Sequence, residues 1–156
     1  MAKRKTYTSR IVKKRPLKKL FVLAVEGKKT EVDYFSILKM LFNCFAIEFA
    51  RTKPANSPKL LLSQLKNYIR IHGIHRTDYE ACVVHDIDNW DSKQIKELWA
   101  WERKKANNHV ATSNPCFEYW LLLHFEESPK ITDAKSCCNE IKKHIPNYDN
   151  PYRRTN

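Results

Sequence analysis

The chain has 156 residues, 42% of them hydrophobic, enough for one domain with a sizeable core. Two glycines in the whole length disfavour tight-turned all-β architectures, and no apolar run approaches the roughly 20 residues of a membrane span. The net charge of +12 is concentrated in residues 1–19, which hold nine Lys or Arg and no acid, leaving +3 for the other 137 positions.

That basic segment lacks the apolar stretch of a signal peptide, so a cytoplasmic protein is expected, with a flexible leader over residues 1–18 and a single domain over 19–156. The leader reads either as a weak, salt-dependent binder of polyanions or as a solvated tail. Five cysteines without a C-x-x-C pair read as packed free thiols.

In chain order, "KLFVLAVEG" predicts a first strand over Leu20–Val25, apolar almost continuously, as a central parallel strand should be. Val32, Phe35, Leu38, Leu41 and Phe42 then recur at helical spacing, with Thr30 as the expected N-cap and Glu31 and Asp33 in the first turn. "AIEFAR" is a short second strand. Ser57-Pro58 opens a helix with Leu61, Leu65, Tyr68 and Ile69 on one face, ended by Gly73. "EACVVHD" is the third strand, followed by a helix capped by Ser92 with Ile95, Leu98 and Trp99 inward. "HVATS" is a fourth strand. "NPCFEYWLLLHF" predicts a helix with Asn114 as N-cap, Pro115 first, and Phe117, Trp120 and Leu121 buried; "TDAKSCCNEIKKHI" closes the pattern as an amphipathic helix.

The alternation predicts an α/β fold, a mostly parallel four-stranded Rossmann-like sheet flanked by helices. Functional groups in such sheets collect beyond the carboxyl ends of strands. Glu26-Gly27, Asp86 with Asp88, and Ser113-Asn114 all fall there.

Asp86 and Asp88 are two apart, so in extended backbone they point the same way with Cα atoms about 7 Å apart. Strand one beside strand three would add Glu26. Three carboxylates this close repel unless one is neutral or a cation intervenes, and oxygen-only ligands select Mg²⁺ or Mn²⁺ over zinc. Each part also has a plain structural reading, since Asp favours turns and Gly27 can serve a turn alone. Asp91 reads as a loop or capping residue. Glu118 lies among residues expected to be buried, where a carboxylate is costly unless paired or metal-bound. His124, six residues on, is about a hundred degrees from it on a regular helix and reads more simply as a satisfied histidine. His72 and His75 flank a helix-ending glycine and do not suggest zinc.

"VLAVEGKKTEVDYF", "VVHDIDNWD" and "TSNPCFEYWLLLHFEE" resemble successive segments of the RloB-like family, over about Lys19 to Ile145. That family is associated with bacterial restriction and abortive-infection loci, and its domain is related to the topoisomerase–primase (TOPRIM) fold. The resemblance implies a TOPRIM-like domain and magnesium-dependent phosphodiester hydrolysis. It casts Glu26 as general acid/base or metal ligand and Asp86 and Asp88 as metal ligands. Lys28 and Lys29 are then either phosphate contacts or solvated lysines. Ser113, Asn114, Glu118 and His124 form the second half of any such site. The family also implies a neighbouring ATPase as partner and DNA or RNA, tRNA included, as target; a homo-oligomer stays open. The competing readings are a non-catalytic nucleic-acid-binding or sensor subunit, and a D-x-D phosphatase or sugar transferase. The phosphatases, however, place D-x-D after their first strand.

Overall fold

The computed structural model describes residues 18–50, 57–74, 79–87, 91–127 and 129–148. The leader expected over 1–18 lies outside these residues apart from Lys18, and so does Asp88.

The elements are β1 (Lys19–Val25), α1 (Thr30–Leu41), β2 (Phe45–Phe49), α2 (Pro58–Ile71), β3 (Tyr79–Asp86), α3 (Ser92–Glu102), β4 (Asn108–Ser113), α4 (Phe117–Leu122) and α5 (Ala134–His144). The four strands form one all-parallel sheet in the order β2-β1-β3-β4, a Rossmann-like α/β arrangement. The two apolar strands, β1 and β3, are the central ones, as continuous apolar runs demand.

Alternation along each strand divides the core into two layers. Leu20, Val22, Ala24, Ala81 and Val83 pack with Leu61 and Leu65 of α2 and with Leu98 and Trp101 of α3. On the opposite face Leu23, Val25, Ile47 and Val84 pack with Phe117 of α4 and with Val32, Tyr34 and Phe35 of α1. A third cluster joins Cys116, Leu122, Cys137 and Ile141, seating α5 on α4. Cys116, Cys137 and Cys138 are buried free thiols, whereas Cys44 is exposed.

Helix entry is set locally where the capping chemistry is complete. Ser57 Oγ accepts the Leu60 N–H at 3.2 Å and Pro58 follows at the first turn. Past the other end of α2, Gly73 takes φ 57°, the left-handed conformation that glycine adopts without a Cβ penalty.

Five local expectations are corrected. Thr30 is the first residue of α1 rather than its N-cap, and its hydroxyl is engaged by Tyr148 instead. Asp91, not Ser92, caps α3, accepting the Lys93 N–H at 3.1 Å. Trp101 is buried and Trp99 is 43% exposed, because position 101 continues the Ile95–Leu98 stripe while 99 lies about a hundred degrees away. Asn114 and Pro115 precede α4 as a cis turn; Cys116, in extended backbone, separates them from the helix, so Asn114 caps nothing. In α4 itself Phe117, Glu118 and Leu122 are buried, while Trp120 is 46% exposed.

No helix among the described residues is long and apolar enough to cross a membrane.

Candidate active site at the carboxyl edge of the sheet

Parallel pairing in register, with Val25 beside Val84 and Asp86 beside Ser113, brings the ends of β1, β3 and β4 to one edge. Just past β1, the Glu26 N–H donates to the Val84 carbonyl at 3.2 Å, and Glu26 Oε2 accepts the Asp86 N–H at 3.2 Å. Two residues 60 apart in sequence are thus joined, and the ladder is continued on the far side by Ile87 N–H to the Ser113 carbonyl at 2.9 Å. Glu26, Asp86 and Ser113 therefore stand side by side on three successive strand ends. Asn114 is exposed in the turn beyond.

The loop from β1 into α1 is tightly closed. Glu31, buried in the first turn of α1, folds back so that its Oε1 accepts the Gly27 N–H at 2.7 Å. A Cβ at Gly27 would meet the end of that carboxylate, so a larger residue there would have to displace the Glu31 side chain from this bond. Lys28 and Lys29 lie exposed at the mouth of the same helix.

Behind Asp86 stands His85, almost fully buried. Its Nδ1 lies 2.9 Å from the Asp86 carbonyl, which only accepts, so Nδ1 carries the proton and Nε2 accepts from Thr112 Oγ1 at 3.0 Å. Burial holds this imidazole's pKa below the usual value, keeping it neutral.

Glu118 is 3% exposed on α4. Its Oε1 accepts the Tyr148 hydroxyl at 2.6 Å, and that hydroxyl lies 3.1 Å from Thr30 Oγ1 at the start of α1. Burial and, next, the Glu118 carboxylate push the Tyr148 phenol well above its ordinary range, so it remains a donor. Burial likewise raises the Cys138 thiol to about 12, and the Glu118 charge adds to that rise. These thiols are packing groups, not nucleophiles.

His124 is directed elsewhere. Its Nδ1 donates to the Trp120 carbonyl at 2.9 Å and its Nε2 lies 3.2 Å from the Tyr34 hydroxyl. Glu118 and His124 thus serve different neighbours.

Among the described residues no three His, Cys, Asp or Glu side chains form a metal cage. Mg²⁺ asks for less than zinc does, because it keeps several waters and is held by one or two carboxylates together with substrate phosphate. The Glu26–Asp86 pair at a strand edge suits that requirement.

Sequence reasoning missed Glu31, His85 and Tyr148. Glu31 was legible in principle, since a glycine four residues before an acid invites a backbone contact; Tyr148 reaches its partners from 30 and 118 residues away and leaves no local pattern.

No curated protein and no solved structure matches the chain. A family model, described as RloB-like protein, matches residues 21–156, from the third residue of β1 through every later element, and the chain belongs to that family.

Proposed function

We propose that the chain is a Mg²⁺- or Mn²⁺-dependent, TOPRIM-type nuclease, or the nuclease subunit of a bacterial anti-phage system that works with an ATPase. The observation that carries the reading is the contact across β1 and β3, in which the Glu26 carboxylate accepts the Asp86 N–H at the carboxyl edge.

In this mechanism Asp86 and Glu26, with Asp88, would hold the metal. The bound ion supplies Lewis acidity toward a phosphodiester oxygen and a water of lowered pKa. Glu26, its Oε2 held by the Asp86 N–H, is oriented to take the proton of the attacking water. Glu118, fixed by Tyr148, orients groups on the opposite wall. Lys28 and Lys29 at the N-terminus of α1 bind phosphate oxygens, where the helix dipole adds to their charge. His85 holds the backbone of Asp86 in place and takes no proton.

The test is incubation of labelled tRNA, single-stranded RNA and duplex DNA with the chain in Mn²⁺, alone and with the neighbouring ATPase. Wild type should cleave at least one substrate, and Asp86→Ala/Asp88→Ala should lose more than about a hundredfold in rate, beyond the loss typical of groups that only support a metal ligand. Equal cleavage by the double variant would assign the signal to a contaminant. Silence from wild type with the ATPase present would leave a nucleic-acid-binding or sensor subunit.

A further inference from the structure

A cavity of about 410 Å³ opens between the first turns of α1, the end of α4 with the residues after it, and the segment that follows α5. Its walls include Tyr34, His124 and Phe125, together with Asp33, Asn147 and Tyr148. Its volume falls in the range of about 300–1,000 Å³ that suits small planar ligands. We infer that this cavity receives an unpaired nucleobase next to the bond to be cut, so that the substrates are single strands or unpaired loops; this rests on the nuclease reading above.

Three features select a base over other occupants. First, the aromatic walls are fixed before any ligand arrives. Tyr34 is held edge-on by Phe35, Phe117 and His124, with ring centroids 5.2, 5.5 and 5.6 Å away. Phe125 stacks on His144 at 4.8 Å and 14° and is still 50% exposed. Such prepositioned rings are platforms for sequence-tolerant stacking. Second, Asp33 and Asn147 set an acceptor and an amide at the same mouth, matching the mixed donors and acceptors of a base edge. Third, a hydrogen bond links the cavity wall to Glu118. Thr30 and Tyr148 line the cavity, and the Tyr148 hydroxyl that touches Thr30 at 3.1 Å donates to Glu118 at 2.6 Å. A base seated here is one hydroxyl away from the buried carboxylate. In a duplex the base would have to leave its stack first, whereas a single strand presents it directly.

The experiment measures fluorescence anisotropy in EDTA, where no cleavage contributes, with the full chain and labelled 12-nucleotide single-stranded RNA, single-stranded DNA, their duplexes, and single strands carrying one abasic position. At least one single strand should bind about tenfold tighter than its duplex, the scale of one stacked base. Phe125→Ala should remove most of that difference, and so should an abasic position in the best register with wild-type protein. The two losses should not add. Equal affinity for single strand and duplex, or abasic probes bound as well as intact ones at every position, would overturn the proposal, and the abasic arm decides even if Phe125→Ala fails to fold. A chain that shows the preference yet cuts nothing in Mn²⁺ with the ATPase present would refute the nuclease reading alone. One that cuts duplex and single strand equally, with Phe125→Ala silent, would refute the base pocket alone.

Discussion

The two faces of the sheet differ in how they are covered. On one face α2 and α3 close over Val22, Ala24, Ala81 and Val83, and Leu61 and Leu65 have no exposed surface. On the other, α1 and the short α4 stand apart over a groove of about 730 Å³ whose floor includes Phe21, Leu23, Cys82 and Val84. Along the same side, Met40 and Leu41 of α1 are 81% and 68% exposed, and Trp120 and Leu123 are also exposed. Both layers have the same strand chemistry; helix length and placement make the difference. α2 has 14 residues and α4 has six, so α4 covers less of the sheet than a full-length helix would. The closed face is the more fully covered, and the other keeps an open groove beside its own buried cluster.

The sharpest way to break this contrast is a pair of truncations. Leu61→Ala on the closed face should cost about 2–5 kcal/mol in urea unfolding. Leu41→Ala on the open side should stay within about 0.5 kcal/mol of wild type. Similar losses from both would show that the open side is covered in solution.

Next in size is Tyr148→Phe. It leaves a buried carboxylate oxygen of Glu118 without its donor and should cost about 1–3 kcal/mol by the same measurement. No loss would mean that Glu118 is satisfied by another group.

The smallest effect is a pH dependence assigned to His85. Its folded-state pKa is depressed by burial, so between that value and the ordinary one of about 6.5 the unfolded chain binds the extra proton. Stability should be fully present above about pH 6.5 and fall as the pH drops toward the folded-state pKa. His85→Gln should flatten that stretch of the denaturation profile; an unchanged slope would assign it to other groups.

The strand-and-helix alternation was readable because period-two and period-3.6 patterns are local, and Ser57-Pro58 and Gly73 mark boundaries by backbone chemistry alone. From that alternation the parallel sheet follows; the nearness of Glu26 to Asp86 hung on β1 lying beside β3, which the observed strand order supplies. Details set by distant partners were not readable. Thr30 was open to the capping role that its type favours, but the Tyr148 hydroxyl engages it, and Glu31 was drawn off the helix surface by the Gly27 amide. Asn114-Pro115 had the composition of a helix start, yet the extended backbone of Cys116 comes between it and α4.

The wholly parallel sheet also has a consequence for how the molecule is made. No two neighbouring strands can be joined by a hairpin, and β1 meets β3 only through partners such as Leu20 and Tyr79, separated by β2 and two helices. The contact between Glu26 and Asp86 spans 60 residues and that between Thr30 and Tyr148 spans 118. No local fragment can carry the site, because its walls meet only after the longest loops have closed. A nascent chain stopped before β3 has two strands and two helices but not the contact between Glu26 and Asp86, so the carboxyl edge and the global topology form in the same step.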